Sequence, residues 1–353
     1  MPVPKASLTP TARKPRLPAV EFIRAVCALG VITFHISCYT APEAAKILHT
    51  YANGNFGSLF VGIFFLISGF VLQMNDSPVQ NLRTFYFKRW KAIFPMFYIT
   101  WLYYYLDMVV AAGTPFYNGA PWTLLLTATG LDGYLAYRIP NYYIVGEWFL
   151  GAIVLLYILY PLYQKAVSRW GWKILLPLIP LLVWMEETDV FQIHHSCNLI
   201  YCSALFLGGM LIFRYSLHHS RILKILSPVA AAVLLTVKLP LPHYVMTIAL
   251  IFSMFFTLFT LGQLLMKVKW ANVVFTFLGG LSFPMFLVQN KLGNKIVARF
   301  SPMEADGVIK AIVITVFFCV LYGWCIRAIA NAVTKTKWFI GLESRMNYPI
   351  GAK

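Results

Sequence analysis

The chain has 353 residues, of which 59% are hydrophobic and only 12% are charged. So few charges cannot solvate a soluble protein of this length, and the composition therefore excludes soluble enzymes and indicates a polytopic membrane protein. The formal net charge of +17 would suit a nucleic-acid partner, but the placement of the basic residues indicates membrane topology instead.

The first 18 residues, "MPVPKASLTPTARKPRLP", are polar, basic and rich in proline. They lack the short apolar core and the small-residue cleavage site of a signal peptide, so we expect a cytosolic tail here. Residues 19–332 are then expected to form one transmembrane domain, and residues 333–353 a second cytosolic tail. No stretch of low complexity divides the chain.

Apolar runs of roughly the 20 residues needed to cross a bilayer recur along the whole chain. They lie at 19–41, 57–74, 92–112, 145–166, 173–188, 196–213, 222–238, 243–266, 272–292 and 308–330. The 173–188 run is short and contains two prolines. The stretch "PWTLLLTATGLDGYLAY" (121–137) is interrupted by Gly130, Asp132 and Gly133, which predicts a re-entrant or interfacial helix, with an eleventh span as the alternative. We therefore predict an all-α polytopic membrane protein with about ten transmembrane helices and one short additional helix.

The basic residues give this topology a direction. If the N-terminus is cytoplasmic, most of the 29 lysines and arginines fall in segments on the cytoplasmic side, as the positive-inside rule requires. The pattern predicts a multi-pass protein of a bacterial cell membrane with both termini in the cytosol. The lipid bilayer is then a partner, and we expect no nucleic-acid partner.

The first span, "VEFIRAVCALGVITFHIS" (19–36), contains both Arg24 and His35. Eleven residues turn a helix about 20° past three full turns and rise about 16 Å, so the two side chains share one face. Ionisable residues inside a span usually face the bundle interior and mark a functional path. The alternatives are an arginine that snorkels to the inner interface and a histidine packed against a neighbouring backbone.

Two further motifs lie near the cytoplasmic side. In "VGIFFLISGFVL" (61–72), Ser68 and Gly69 predict close approach of a backbone or a ligand, or else ordinary packing of small residues. In "FYFKRWKAIFP" (85–95), Lys88, Arg89 and Lys91 would bind an anion such as a nucleotide phosphate, or would only anchor the helix at the interface.

Two motifs extend toward the outer side. "VGEWFLGAIVLLYILYPLY" (145–163) places Glu147 and Trp148 at the outer mouth of a span, where they would bind sugar hydroxyls or belong to an aromatic belt. "LGGLSFPMFLVQN" (278–290) carries Ser282 and Gln289 on a predicted interior polar face.

Together these motifs resemble the integral membrane acyltransferase family 3, the O-acyltransferases that modify cell-surface polysaccharides and related glycans. The most specific element is a motif of an acidic residue, an arginine and, after ten intervening residues, a histidine. Glu21, Arg24 and His35 match it. "FFLISGF" (64–70), "KRWKAIFP" (88–95), "GEWFLG" (146–151) with "YPL" (160–162), and "LSFPMFLVQN" (281–290) are similar to later motifs of the family. Many members have arginine, glutamate and histidine where this chain has Ala92, Ile153 and Gln289.

The resemblance implies a membrane O-acyltransferase that moves an acyl group, acetyl being favoured, from cytosolic acyl-CoA to a hydroxyl of an extracytoplasmic or lipid-linked glycan. His35 and Arg24 would be the catalytic pair, with His35 as general base and Arg24 as the anchor of the donor. Lys88, Arg89, Lys91 and Ser68 would bind the donor, and Glu147, Trp148, Gln289 and Ser282 the acceptor. We expect no metal and no bound cofactor, since acyl-CoA is a substrate.

Two other classes of protein compete with this interpretation. A transporter or flippase for a lipid-linked glycan would also have many spans and a basic inner face, but no repeat is visible between 19–166 and 173–330. A membrane sensor would bind a ligand without turnover. Neither alternative needs a general base, so the arginine and histidine pair favours the enzyme.

Overall fold

The computed structural model describes residues 17–40, 42–188, 195–299 and 305–347. These residues form an α-helical bundle with one two-residue antiparallel pair, Thr50–Tyr51 with Gly54–Asn55. The helices are α1 (Pro18–Tyr39), α2 (Pro42–His49), α3 (Phe56–Asn75), α4 (Leu82–Ala112), α5 (Leu124–Thr129), α6 (Asp132–Leu135), α7 (Glu147–Trp170), α8 (Leu178–Thr188), α9 (Leu199–Arg214), α10 (Arg221–Thr236), α11 (His243–Leu265), α12 (Lys269–Val297), α13 (Ala305–Thr334) and α14 (Lys337–Asn347).

The helix boundaries follow from local chemistry. Asn55 and Asn81 cap α3 and α4, since their side-chain oxygens accept hydrogen bonds from the Ser58 and Thr84 backbone N–H groups at 2.8 and 3.1 Å. Pro18 lies in the first turn of α1, where its missing N–H would have had no helical partner. Gly113 ends α4 with a φ of 67°, a left-handed conformation that favours glycine.

Each of the ten predicted apolar runs coincides with a helix, and seven of these helices are long and apolar enough to cross a bilayer. They are Pro18–Tyr39, Phe56–Asn75, Leu82–Ala112, Trp148–Leu175, His243–Leu265, Lys269–Val297 and Asp306–Thr334. The protein is therefore an all-α polytopic membrane protein, as predicted.

The other three predicted spans form shorter helices. α9 and α10 have 16 residues each, or about 24 Å, and α8 has 11 residues, or about 17 Å. The hydrocarbon core of a bilayer is about 30 Å thick. Seven of the ten predicted spans therefore have the length and composition to cross a bilayer, and the count of ten stays a prediction.

The segment 121–137 contains a 3₁₀ turn followed by α5 and α6, with six and four residues. Neither helix has the length of a span, so the structure supports the short additional helix over the eleventh span. Of the predicted C-terminal tail, 333–353, the described part contains the end of α13 and the helix α14, and residues 348–353 lie outside the described residues. The helix α14 packs on α4, where the Lys91 Nζ donates to the Glu343 Oε2 at 2.7 Å.

The helix α1 lies at the centre of the bundle and contacts α3, α11, α12 and α13. Glycines permit the closest approaches. A Cβ at Gly279 would overlap the backbone of Glu21 where α12 meets α1, and a Cβ at Gly69 would overlap the Phe206 carbonyl oxygen where α3 meets α9. The close approach of a backbone predicted for the Ser68-Gly69 motif is confirmed at Gly69, whereas Ser68 lines a cavity and its contact with a ligand stays a prediction.

The two ends of the bundle differ, and we name them by their composition. The end at which α1, α4 and α12 begin is the basic end. The end at which α3, α7 and α11 begin is the far end.

Candidate functional site

A cavity of about 510 Å³ lies at the basic end, between α1, α3, α4, α7, α12 and α13. Five of the site residues predicted from the sequence line it: Arg24, Ser68, Arg89, Lys91 and Ser282. Its walls are otherwise mostly apolar. We call it the basic-end cavity.

Arg24 is held in place by its own helix. Its Nη1 donates to the Oε1 of Glu21 at 3.0 Å, one turn earlier. Glu21 is only 4% exposed, and its second oxygen has no hydrogen-bond partner among the described residues. A guanidinium has five N–H donors, so this pair orients Arg24 and leaves most of its donors for a ligand.

The basic cluster of α4 divides between the cavity and the surface. Arg89 lines the cavity with its Nη2 3.4 Å from the Oδ2 of Asp76, and Lys91 lines it beside Glu343. Lys88 is exposed and does not line the cavity. The motif therefore contributes two of its three basic residues to the cavity.

Arg327 of α13 is a further cation in the cavity, to which the sequence alone assigned no role. It makes no hydrogen bond or ion pair with the residues that the structure describes. It reaches the cavity past Gly280, where a Cβ would lie 2.7 Å from its Nη1. The sequence signal was an arginine inside an apolar run of 308–330.

Two of the three departures from the family pattern, Ala92 and Ile153, also line the cavity. Where many members carry an arginine and a glutamate, this wall is apolar. The cavity therefore has one cation and one carboxylate fewer on α4 and α7, while Arg327 adds a cation from α13.

Aromatic rings line the inner part of the cavity. The ring of Phe149 lies 5.1 Å from that of Phe286 and 6.1 Å from that of Phe64, measured between centroids, and all three residues line the cavity. Phe286 lies one helical turn beyond Ser282 toward the far end. We call Phe64, Phe149 and Phe286 the aromatic floor.

His35 does not line the basic-end cavity. It lies near the far end of α1, with its ring 5.5 Å from that of Phe34. On the other side of Phe34 the ring of His49 stacks at 4.9 Å, and its Nδ1 lies 3.2 Å from the Oγ of Ser37. Sequence analysis missed His49 because it precedes the second span in a short helix with no motif.

The predicted acceptor residues lie in different places. Trp148 is half-buried, 6.0 Å from the ring of Phe65, near the start of α7. The side chain of Glu147 falls outside the described part of the structure. Gln289 is 1% exposed, and neither atom of its amide has a partner among the described residues. Ser282 lies about 10 Å further toward the basic end and lines the same cavity as Arg24, whereas Gln289 does not line it.

The far end also holds a buried carboxyl group. Asp132, at the start of α6, is 1% exposed; its Oδ1 accepts from the Gly133 N–H at 2.9 Å, and its Oδ2 has no described partner. Burial raises the pKa of this carboxyl group to about 6, although the Gly133 hydrogen bond acts in the opposite direction. Among the described residues, no three His, Cys, Asp or Glu side chains form a metal-binding group.

Comparison with known proteins supplies the class of the site. The family model Acyl_transf_3, described as an acyltransferase domain, matches residues 17–326. The chain belongs to the acyltransferase 3 family. The match includes α1, α3, α4, α7 and α12 in full and α13 up to Ile326. Four residues of α13 that line the basic-end cavity lie beyond it: Arg327, Ala330, Asn331 and Thr334. The protein is thus an integral membrane member of this family.

A relative supports this assignment over part of the chain. Acyltransferase MdmB of Streptomyces mycarofaciens is 26% identical over 166 residues, which are 44% of this chain and 41% of that protein. The chain thus matches about two fifths of the length of this relative. No solved structure matches the chain significantly.

Proposed function

We propose that the protein transfers an acyl group, most simply acetyl, from acyl-CoA in the cytosol to a hydroxyl group of an extracytoplasmic or lipid-linked glycan. The observation that carries this proposal is the basic-end cavity, which combines four cationic side chains with apolar walls. Acyl-CoA has the same division, with phosphates at one end and an acyl-pantetheine arm at the other.

The orientation follows from charge. We assign the basic end, where α1 and α4 begin and α14 lies, to the cytosol, because the positive-inside rule favours basic segments on that side. Acyl-CoA is made there, so the donor meets the cavity directly. The acceptor would approach from the far end.

Arginine binds phosphate through two parallel N–H donors, so Arg89 and Arg327 suit the diphosphate, with Lys91 beside them as a point charge. Arg327 takes on the role of the cation that many family members have at the position of Ala92. Lys88, on the surface, would attract the donor to the mouth of the cavity rather than hold it.

Arg24 lines the same cavity as Ser68 and Ser282. We assign it to the pantetheine amides or the thioester carbonyl oxygen, both of which accept hydrogen bonds. Ser282 thereby moves from the acceptor set to the donor set. Phe64 and Ile153 form apolar walls for the arm.

The reaction needs the thioester to reach His35, about 16 Å beyond Arg24 along α1. The imidazole would take the proton of the acceptor hydroxyl as its oxygen attacks the thioester carbon, and the CoA thiolate would leave toward the cytosol and be protonated there. The aromatic floor lies between the two residues. We infer that these rings part when the acyl group passes toward His35, with Trp148 and Gln289 on the acceptor side.

Release of free CoA tests this function. Purified protein in nanodiscs receives acetyl-CoA and a panel of glycan acceptors, and the thiol produced is measured for the parent, Arg24→Gln and a matched control, Arg169→Gln. Arg169 is an exposed arginine at the basic end that does not line the cavity. The proposal predicts CoA release by the parent and the control and a large loss for Arg24→Gln. It fails if the parent binds no acetyl-CoA and releases no CoA with any acceptor.

A further inference from the structure

A second cavity, of about 580 Å³, lies at the basic end on the other side of α1. It is formed by the start of α1, the first turn of α10 and the end of α11. Leu17 lines both this cavity and the basic-end cavity, so the start of α1 forms the wall between them. We call it the α10–α11 cavity.

Two ammonium groups supply its charge. The Lys224 Nζ donates to the Gln263 Oε1 at 2.8 Å, which fixes it at the rim with donors to spare. Lys267 is exposed and makes no side-chain hydrogen bond or ion pair with the described residues. No acidic side chain of the described residues lines the cavity, so its electrostatic potential favours an anion.

The remaining walls are mostly apolar and continue onto the lipid-facing surface. Phe259 is 2% exposed at the inner wall, whereas Leu264, which also lines the cavity, is 56% exposed. A free phosphate has no apolar part that could pack against these walls. A second CoA would meet only lysines, without the guanidinium groups that suit a diphosphate.

We propose that the α10–α11 cavity binds an anionic phospholipid of the inner leaflet, with its phosphodiester between Lys224 and Lys267 and one acyl chain along Phe259 and Leu264. Basic pockets between membrane helices on the cytoplasmic side have the chemistry to hold such headgroups. The inference goes beyond acyl transfer and does not depend on it. Because the lipid would pack against Leu17, it would stabilise the first turns of α1, which carry Glu21 and Arg24.

Native mass spectrometry of the full chain in detergent, with equal amounts of phosphatidylglycerol and phosphatidylcholine, tests the proposal. We expect selective retention of phosphatidylglycerol. Each lysine contributes about a fivefold gain in affinity, so Lys224→Gln with Lys267→Gln should weaken retention about 25-fold. The matched control, Lys165→Gln with Lys173→Gln, removes the same charge from exposed positions at the basic end and should change nothing.

If the double variant misfolds, Lys267→Gln alone is tested instead, because Lys267 is exposed and its substitution should not disturb the fold. Its retention of phosphatidylglycerol should be about fivefold weaker than that of the parent. Equal retention of the two lipids by the parent would overturn the proposal, and so would an equal loss in the control. Displacement of the lipid by millimolar inorganic phosphate would also overturn it, since that would show a site for the phosphate alone.

Discussion

The two ends of α1 lie in contrasting surroundings, although one helix carries both. At the basic end, Arg24 pairs with Glu21 and faces an open cavity that contains other cations. At the far end, His35 lies among aromatic and imidazole rings, and the buried amide of Gln289 has no described partner. Such surroundings suit binding of an anion at one end and movement of a proton at the other.

Two residues on the same face of one helix therefore need not belong to the same site. Arg24 and His35 share a face of α1, but Arg24 and the aromatic floor line the cavity, whereas His35 does not. In our account the substrate, rather than the protein, connects the two ends. Variants at each end should therefore affect different measured quantities.

The largest effect is expected for His35→Gln. Loss of a general base lowers turnover by about 10²- to 10⁴-fold, because the acceptor hydroxyl then attacks without losing its proton to a positioned base. The dissociation constant for acetyl-CoA should not change. CoA release and equilibrium binding measure the two quantities, with the exposed His219→Gln as the matched control. If His35→Gln weakened acetyl-CoA binding as much as it lowered turnover, the two ends of α1 would not have the separate roles proposed here.

Asp132→Asn tests the far end through stability. The pKa of this carboxyl group is about 3.9 in the unfolded chain and about 6 in the fold. Between these values the unfolded chain ionises more readily, so the folded state loses stability as the pH rises. Asparagine carries no charge and still accepts from the Gly133 N–H. The variant should be more stable than the parent by about 3 kcal/mol above pH 6 and no different near pH 4. Thermal unfolding in detergent across this pH range measures the difference, and a gain that is independent of pH would contradict the assignment.

Arg24→Gln tests the basic end. Loss of a charged hydrogen-bond donor should weaken acetyl-CoA binding by about 1.5–3 kcal/mol, or roughly 10- to 150-fold. The substitution also leaves Glu21 as a buried carboxylate without a partner, which lowers stability for a separate reason. Combining it with Glu21→Gln should restore the thermal stability but not the donor affinity. Recovery of both would show that Arg24 serves only the fold.

The smallest effect is expected for Arg327→Gln. Arg327 is half-buried and so partly solvated, and its loss should weaken acetyl-CoA binding about fivefold. An acetyl-pantetheine analogue, which lacks the diphosphate, should bind the parent and the variant equally. Isothermal titration with both ligands separates a diphosphate contact from a general change in the cavity, which would weaken both.

Much of this arrangement could be predicted from the sequence. Hydrophobic runs predicted the helices, and the spacing of Arg24 and His35 predicted their common face. Their separation of about 16 Å along the helix also followed from helix geometry, because α1 is helical from Pro18 to Tyr39.

The rest depends on how helices pack against one another. Lys88 and Arg89 are adjacent in sequence, and only the rotation of α4 in the bundle decides which of them lines the cavity. Arg327 reaches the cavity because Gly280 of another helix leaves room for it. The aromatic floor combines rings from α3, α7 and α12, which no single stretch of sequence contains.

The most direct test of the central claim is an electron cryo-microscopy structure of the parent in nanodiscs with a thioether analogue of acetyl-CoA that cannot be cleaved. The account predicts the diphosphate beside Arg89 and Arg327, the pantetheine arm past Arg24, and the acyl carbon beyond the aromatic floor, within reach of His35. An analogue bound outside the basic-end cavity, or one whose acyl end lies away from His35, would contradict it.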